Sequence, residues 1–412
     1  LGNSMSIRVF EGFGGIKLVA DTFGHEEHPC VLLLPGATQT RKVWEEAAKA
    51  LANAGRYVVS VDLRGHGESE YASDGRYDVD AYVNDLKAIL SQLSSRPVIV
   101  GSTLGGWIAL TTLGEADTPL ATGIVLTNPP SAINSENIQR FTEAAVQENA
   151  NAAQNDDFDK ALADGGFDFE SFSSRFNQAA TKIKLPVLVV RGEESLLSSP
   201  ETLQSLANTI PNAETEEIAG AGHYVAFDNE EFNAVLLAFL ERRIPREPPE
   251  YVTGSDSRTL RDAMGCFASG ITVVTTKDEN GNPVGLTANS FTSVSLDPPL
   301  VLVCLGKNVG SLPAFNGAES FAVNILHTGQ QPISNLFASK GKDRFKETDW
   351  QTWDKDVPII NNSLANFECI KTAEIEQGDH ILFVGEVVRA RFDPRRDPLL
   401  YSSSKYRRLH FD

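Results

Sequence analysis

Two segments in the first half of the chain carry residue types that could perform nucleophilic catalysis. The apolar run Pro97–Val100 leads into Gly101-Ser102-Thr103-Leu104-Gly105-Gly106, and an apolar helical pattern follows. A strand, a tight glycine-rich turn and a helix in this order are typical of a nucleophile elbow, where the middle residue of G-x-S-x-G presents its hydroxyl. Thr103 occupies that position in place of serine. The second segment is Ala219-Gly220-Ala221-Gly222-His223, which ends in a histidine.

The second half of the chain carries polar residues that could hold a cofactor. Between Gly285 and Val301, small hydroxyl and amide side chains alternate with apolar ones. Such a segment can present donors to a flat polar heterocycle while its other face packs into a core. The run Cys304–Leu312 adds a cation, an amide and a hydroxyl beside glycines at a predicted helix start, which suits a phosphate. Gly378-Asp379-His380 and the final run Tyr401–Leu409 complete the set.

The first half predicts an α/β domain that would position the Thr103 and His223 segments. Continuous apolar runs separated by helical patterns indicate a mainly parallel sheet whose strands are buried on both faces. The polar region Pro129–Thr181 is predicted to form a helical insertion or cap over the sheet edge. The predicted strands are Val31–Gly36, Tyr57–Asp62, Pro97–Ser102, Gly123–Asn128 and Pro186–Gly192.

The second half predicts a different architecture, an antiparallel β-barrel with a few short helices. Its β-branched runs are separated by Gly, Pro and Asn turns, and Glu279–Gly285 has the composition of a hairpin turn. The predicted strands are Ile271–Thr276, Leu300–Leu305, Ser320–Leu326, Phe367–Glu376 and His380–Phe392.

The proline-rich, charged stretch Glu241–Ser257 cannot continue a helix or a central strand and is predicted to be a linker. We therefore expect a first domain over residues 5–243, a linker over 244–257 and a second domain over 258–412. A length of 412 residues agrees with two domains, because single cores stop growing near ~250–300 residues.

Composition and charge exclude several classes of function. The chain has 36 Lys and Arg against 55 Asp and Glu, a net charge of −19, which argues against nucleic-acid or membrane-surface binding. No apolar run approaches the ~20 residues of a membrane span. Four dispersed cysteines predict neither a metal site nor a disulfide framework, and they suit the reducing cytoplasm.

The ordered motifs of the first half resemble the α/β-hydrolase fold. They include Leu34-Pro35-Gly36-Ala37 and the run from Val61 to Ser69, in which Asp62 and His66 are expected to be structural. The resemblance implies Thr103 as nucleophile, His223 as general base, and the backbone N–H groups of Ala37 and Leu104 as an oxyanion hole. The family's acid is missing, because Ser195, Leu196 and Asn128 stand at its usual positions and only Glu193 and Glu194 are near.

The ordered motifs of the second half resemble the flavin reductase-like family, whose fold is a split β-barrel that binds FMN or FAD. The resemblance implies that the isoalloxazine and ribityl chain are lined by Thr287, Ala288, Asn289, Ser290 and Cys304. It implies a phosphate contact for Lys307, Asn308 and Ser311, and a place for His380 beside the nicotinamide of NADH or NADPH. Ser403-Ser404 stands where the family usually has glycine before the closing tyrosine. The family is usually homodimeric.

Together these resemblances predict a bifunctional fusion. The second domain would reduce FMN or FAD with NAD(P)H for a separate flavin-dependent monooxygenase, and the first would act on or bind a small-molecule metabolite of the same pathway. One alternative is a C–C bond or ester hydrolase with an accessory flavin domain. Another is a flavin-binding protein with a non-catalytic hydrolase-fold module, and a cofactor-free oxygenase on the hydrolase frame is a further one.

Overall fold

The computed structural model describes residues 5–130, 157–164, 169–226, 229–247, 254, 256–341 and 343–409. The chain forms two compact units, Leu1–Pro249 and Glu250–Asp412. Within the described ranges, none of the helices has both the length and the apolar character needed to cross a bilayer.

The first unit is built on an eight-stranded sheet with the order β1-β2-β4-β3-β5-β6-β7-β8. Strands β3 to β8 are parallel, whereas β1 and β2 form an antiparallel hairpin that joins β4. The strands are β1 (Ser6–Glu11), β2 (Lys17–Phe23), β3 (Cys30–Leu34), β4 (Tyr57–Val61), β5 (Val98–Ser102), β6 (Gly123–Thr127), β7 (Val187–Gly192) and β8 (Glu214–Ile218).

Helices cover both faces of this sheet and produce two apolar cores. Along β3, Leu32 and Leu34 belong to one core whereas Val31 and Leu33 belong to the other, as the two-residue period of a strand requires. The described helices are α1 (Glu45–Asn53), α2 (Val79–Ser91), α3 (Leu104–Glu115), α4 (Ala161–Asp164), α5 (Phe169–Ala180), α6 (Pro200–Thr209) and α7 (Glu230–Arg243).

The predicted α/β architecture is confirmed, and each of the five predicted strands is present as β3, β4, β5, β6 or β7. The predicted helical insertion over Pro129–Thr181 lies partly outside the described residues, and its described part contains α4 and α5.

The second unit contains a seven-stranded antiparallel sheet with the order β11-β10-β14-β17-β18-β13-β12. Two smaller sheets, β15-β16 and β20-β19-β9, accompany it. The strands are β9 (Ser269–Gly270), β10 (Thr272–Lys277), β11 (Pro283–Ala288), β12 (Thr292–Leu296), β13 (Pro299–Gly306), β14 (Ser320–Ile325), β15 (Trp350–Thr352), β16 (Pro358–Ile360), β17 (Ala365–Gln377), β18 (His380–Phe392), β19 (Leu400–Ser402) and β20 (Lys405–Arg407).

Three helices are described in this unit: α8 (Ser257–Gly265), α9 (Leu312–Gly317) and α10 (Gln331–Ala338). The mainly β class predicted for this half is confirmed, and the predicted hairpin joins β10 to β11. Strand β18 has the predicted bounds, His380–Phe392.

Candidate active sites

Thr103 lies on a sharp turn between β5 and α3. Its backbone has φ 44° and ψ −105°, a conformation that residues with a Cβ rarely adopt. The turn is possible because glycines surround it: a Cβ atom at Gly105 would lie 2.5 Å from the carbonyl oxygen of Leu34, and one at Gly101 would overlap Gly106. The strained turn is the geometry of a nucleophile elbow, and it holds the Thr103 side chain in a buried position.

The loop that follows β3 lies against the Thr103 hydroxyl. A Cβ atom at Gly36 would overlap Thr103 Oγ1, so this loop can approach the elbow only with glycine at that position. The Gln39 side chain fixes the loop by accepting a hydrogen bond from the Gly36 N–H at 2.7 Å. The backbone N–H groups of Ala37 and Leu104, the predicted oxyanion hole, belong to this loop and to the first residue of α3.

His66 also stabilises the loop that follows β3. Its Nε2 accepts a hydrogen bond from the Thr38 N–H at 3.0 Å, and its Nδ1 lies 2.9 Å from the Arg64 carbonyl oxygen. This arrangement places the proton on Nδ1, because Arg64 offers only an acceptor. Complete burial lowers the pKa of His66 from 6.5 to about 4, so the ring is neutral at physiological pH.

Asp62 braces the loop between β4 and α2. Its carboxylate accepts hydrogen bonds from the backbone N–H groups of Arg41 at 2.6 Å and Glu68 at 3.0 Å. The Arg41 guanidinium also contacts Asp62, and it lies 2.9 Å from Asp21. These bonds fix the 3₁₀ turn Arg41–Trp44, which follows the Gly36 loop. The structural roles expected for Asp62 and His66 agree with these contacts.

His223 is buried, and its Nδ1 faces a hydroxyl. Ser195 Oγ lies 3.1 Å from His223 Nδ1. Burial lowers the pKa of His223 from 6.5 to about 4, because the charged imidazolium would lose its hydration. The acid position of the predicted triad is therefore occupied by Ser195, which cannot carry the negative charge that stabilises an imidazolium.

Two other residues near the acid position, Asn128 and Glu193, form hydrogen bonds with the backbone. Asn128 donates from Nδ2 to the His223 carbonyl oxygen and accepts at Oδ1 from the Gly192 N–H at 2.8 Å. Glu193 is exposed, and its carboxylate accepts a hydrogen bond from the Gly220 N–H at 2.9 Å. Both residues thus fix the loop that carries His223 rather than the ring itself.

A cavity of about 270 Å³ lies between α3, α5 and α6. Trp107 of α3, Phe176 of α5 and Leu206 of α6 contribute apolar walls, and Ser173 and Thr202 contribute hydroxyls. The residues that line it do not include Thr103 or His223.

In the second unit, the Thr287–Ser290 segment is fixed by its own hydroxyl groups. Thr287 Oγ1 donates to the Ser334 carbonyl oxygen at 2.6 Å, which ties β11 to α10. Ser290 Oγ donates to the Cys304 carbonyl at 2.8 Å and accepts from the Cys304 N–H at 2.9 Å. Between them, Ala288 is half-buried and the Asn289 side chain is exposed. Asn289 can therefore offer its amide to a ligand, whereas both hydroxyls shape the segment.

The Cys304–Ser311 run presents its polar groups at the end of β13. Asn308 is exposed and Ser311 precedes α9, where its side chain does not cap the helix. The Lys307 ammonium contacts the Glu376 carboxylate and holds the pKa of that group below its usual range. Burial raises the pKa of the Cys304 thiol, so it is protonated at neutral pH. An ammonium, an amide and a hydroxyl beside Gly306 and Gly310 fit a phosphate.

His380 begins β18 and pairs with Gly306 in the neighbouring strand. Its Nδ1 lies 2.7 Å from the Asp379 carboxylate, and the ring is half-exposed. The hydrogen bond with His380 lowers the pKa of Asp379. Strand pairing thus brings His380 close to the candidate phosphate residues, which are more than sixty positions away in the sequence.

The structure adds contacts that the sequence motifs do not predict. Tyr406 donates to Asn335 Oδ1 at 2.8 Å, and its hydroxyl lies 2.9 Å from Ser334 Oγ. Glu376, Asp379 and Ser195 likewise contact predicted site residues. Strand register was the available signal for the contact of Glu376, which lies opposite Ile381 next to His380, whereas no local pattern predicts which residues Ser195 and Tyr406 contact.

Family profiles match both parts of the chain. The profile described as "Flavin reductase like domain" matches residues 264–410, and the one described as "Alpha/beta hydrolase family" matches residues 31–235.

Several curated proteins are similar to the second part. A "Probable flavin reductase" of Rhizobium meliloti is 49% identical over 32% of this chain and 42% of its own length. The "FMN reductase (NADH) SmoA" of Agrobacterium fabrum is 42% identical over 40% of this chain and 94% of its own length. The "NADH-dependent FAD reductase" of Streptomyces globisporus is 40% identical over 39% of this chain and 91% of its own length. The chain thus spans less than half of the first protein and nearly all of the other two.

The sequence identity of 42% to SmoA, over almost the whole length of that protein, is far above what a shared fold alone produces. The match agrees with the mainly β architecture of residues 256–409. For the first part of the chain, the parallel sheet and the elbow at Thr103 agree with the match to the α/β hydrolase profile. The chain belongs to the flavin reductase-like family through its C-terminal domain, which follows an N-terminal domain of the α/β hydrolase family.

Proposed function

We propose that the C-terminal domain reduces FMN or FAD with NADH or NADPH and supplies the reduced flavin to a separate flavin-dependent monooxygenase. The observation that carries this proposal is the 40–42% identity to two NADH-dependent flavin reductases over more than nine-tenths of their length. Relatives named as reductase components of trigonelline and other flavin-dependent monooxygenases support the partner. The cytoplasmic location expected from the dispersed cysteines stays a prediction.

The proposal assigns two groups of residues to the flavin. Lys307, Asn308 and Ser311 would hold the phosphate, and the fixed Thr287–Ser290 segment together with Cys304 would line the ring and the ribityl chain. Lys307 must exchange its contact with Glu376 for the phosphate, which is a local movement because the Lys307 side chain is partly exposed. When bound, the flavin supplies the hydride acceptor.

His380 is assigned to the nicotinamide side. It stands at the start of β18, directly beside Gly306 and hence beside the proposed phosphate contact. Asp379 fixes the ring through Nδ1, which leaves Nε2 toward the opposite side of the imidazole. A half-exposed imidazole in this position could bind NADH or NADPH transiently, without a dedicated nucleotide-binding domain.

The decisive experiment follows the oxidation of NADH and NADPH at 340 nm by the intact protein with added FMN or FAD. We expect turnover, with a flavin KM that rises about tenfold or more in Lys307→Met while kcat changes little. Lys346→Met, at another exposed lysine, is the matched control and leaves the KM unchanged. A protein that binds flavin without oxidising either nucleotide would instead be a flavin-binding protein, and the reductase proposal would fail.

For the N-terminal domain we propose that the site around Thr103 and His223 acts on or binds a small metabolite of the same pathway. The elbow, the Gly36 loop and a neutral His223 support a site for a small molecule. Turnover of p-nitrophenyl esters that is lost in His223→Ala would favour the alternative of a hydrolase, whereas absent turnover would favour binding.

A further inference from the structure

The N-terminal site differs from a hydrolase triad in the group that faces histidine Nδ1. In a triad, the carboxylate accepts the proton of histidine Nδ1, so Nε2 carries the lone pair that takes the proton of the nucleophile. Here the neighbour of His223 Nδ1 is the hydroxyl of Ser195, at 3.1 Å. A hydroxyl can donate as well as accept, and its other contacts decide which it does.

The surroundings of Ser195 direct its proton to His223. Among the described residues, Ser195 Oγ has two polar neighbours, the His223 ring and the Ser198 N–H at 3.3 Å. The Ser198 N–H can only donate, so it occupies a lone pair of Ser195 Oγ. Within the described part of the chain, the buried Ser195 proton then has one acceptor, His223 Nδ1. Because buried donors are satisfied wherever a partner is present, Ser195 donates and Nδ1 accepts.

We propose that Ser195 holds His223 as the Nε2–H tautomer, so that the site binds a carboxylate or carbonyl oxygen of a small molecule and does not hydrolyse esters. With Nδ1 as acceptor, Nε2 carries the ring proton and cannot take one from the Thr103 hydroxyl. The ring would then be a hydrogen-bond donor, as the N–H groups of Ala37 and Leu104 are. Donors that surround one oxygen bind it well, but without a base Thr103 is not a nucleophile.

Two further observations agree with a His223 ring that donates a hydrogen bond through Nε2. Burial lowers the pKa of His223 to about 4, so the ring stays neutral and keeps a single proton at physiological pH. Asn128, at the alternative acid position, donates to the His223 carbonyl oxygen, whereas Ser195 contacts Nδ1. The inference deepens the proposal that the N-terminal domain binds a metabolite, and it is independent of flavin reduction.

The tautomer can be measured directly in the intact protein. Long-range proton–nitrogen NMR of ¹⁵N-histidine-labelled protein at pH 7.5, with His223→Gln to assign the ring, distinguishes a protonated from an unprotonated Nδ1. We expect an unprotonated Nδ1 and a protonated Nε2 in the wild type, and the reverse in Ser195→Asp. A wild-type ring protonated at Nδ1 would overturn the proposal. This result is decided on the wild type, even where the variant fails to fold.

The ligand class is tested on the same signal. Benzoate should shift the His223 nitrogen resonances in a saturable manner, whereas benzylamine, of similar shape and opposite charge, should not. Absence of a benzoate shift would overturn the proposal that the site binds a carboxylate or carbonyl oxygen. The tautomer of His223 is decided by the preceding experiment alone. Neither measurement uses NADH or flavin, so failure of the reductase proposal is recognised independently.

The loss of hydrolysis is tested by restoring the missing groups. The double variant Thr103→Ser, Ser195→Asp should hydrolyse p-nitrophenyl acetate at least about tenfold faster than wild type, because it regains a base and a less hindered hydroxyl. Thr103→Ser alone should gain nothing, since His223 would still be a donor. Wild-type turnover that disappears in His223→Gln would show that His223 already acts as a base and would contradict the proposal.

Discussion

His66 shows how a single buried side chain can set the pH range of the N-terminal domain. Its ring accepts from Thr38 and donates to Arg64, and it has no space for a second proton without losing the Thr38 bond. The folded pKa of about 4 lies below the ordinary 6.5. The unfolded chain therefore binds a proton that the folded chain does not, between these two values, and stability is lost as the pH falls through that window.

We predict that the N-terminal domain loses about 2 kcal/mol of unfolding free energy for each of His66 and His223 between pH 8 and pH 5. In His66→Gln, whose amide can replace both hydrogen bonds, about half of this pH dependence should disappear. His25→Gln, at an exposed histidine, is the control and should keep all of it. The measurement is urea unfolding at the two pH values, followed by the fluorescence of Trp44 and Trp107 after replacement of Trp350 and Trp353 by Phe. Equal pH dependence in both variants would contradict the assignment.

In the C-terminal domain, Ser290 is a single side chain that stabilises the backbone of a neighbouring strand. Strand β12 begins at Thr292, which pairs with Leu302, so the ladder does not reach Cys304. The Ser290 hydroxyl bonds both backbone groups of Cys304 and thereby replaces the missing strand residue.

Ser290→Ala should cost about 1–2 kcal/mol, because it leaves a backbone donor and acceptor without protein partners. It should also raise the flavin KM, since the proposed ring-binding segment would no longer be fixed to β13. Ser293→Ala, an exposed serine of β12, is the matched control. Calorimetric unfolding and NADH oxidation measure the two effects, and an unchanged melting temperature would show that water replaces the hydroxyl.

The sequence predicts residues of the sites better than it predicts their partners. Thr103 and its glycines are recognisable because the elbow is a local pattern of strand, turn and helix. The contact between Ser195 and His223 spans 28 positions and depends on two loops whose geometry no local pattern specifies. Lys307 and Glu376 were separated by 69 positions, and only the register of β17, β18 and β13 brings them together.

At the scale of elements, buried strands were the easiest to predict. Strands β3 to β7 are apolar on both faces, so their runs are continuous in the sequence. The β1–β2 hairpin, β8 and the short β19–β20 hairpin were not predicted, because their residues are more polar or too few to show a period.

The β19–β20 hairpin forms although Ser403 and Ser404 stand in its turn, where the family usually has glycine. Ser403 and Ser404 have φ values of 50° and 60°, the conformation of a two-residue turn that favours glycine. The Ser403 N–H donates to the Gly265 carbonyl at 2.8 Å, which compensates in part by fixing the turn to the end of α8.

Ser404→Gly should therefore raise the unfolding free energy of the C-terminal domain by about 1 kcal/mol, because a residue with a Cβ is strained at positive φ. Ser402→Gly, one position before the turn in β19, should lower it, since it lies in a strand and loses its hydroxyl bond to Gly265. Differential scanning calorimetry of the intact protein distinguishes the two, and a lower melting temperature in Ser404→Gly would contradict the strain.

At the scale of the whole molecule, the C-terminal domain exposes several large apolar side chains. Helix α8 contains no buried residue, although a nine-residue helix is only marginally stable without packing. Phe267 after this helix is 82% exposed, Leu296 of β12 is 95% exposed and Phe392 of β18 is 74% exposed. Large apolar side chains as exposed as these favour association, as the homodimer expected from the family resemblance would require.

We predict that the intact protein sediments as a dimer at micromolar concentration and that Phe267→Glu together with Leu296→Glu converts it to a monomer. Each substitution places a charge where the proposed interface excludes water, and in a symmetric dimer each charge occurs twice, so the loss of affinity is doubled. Ile7→Glu, at a residue of β1 that is 62% exposed, is the matched control and should leave the dimer intact. Sedimentation velocity gives the mass directly. A wild-type monomer would exclude the dimer, and a dimer that survives the double substitution would place its interface elsewhere. Strand β12 follows the proposed flavin-binding segment in the chain, and α8 is hydrogen-bonded to the closing hairpin through Gly265. The monomeric variant should therefore also show a higher flavin KM in the NADH assay.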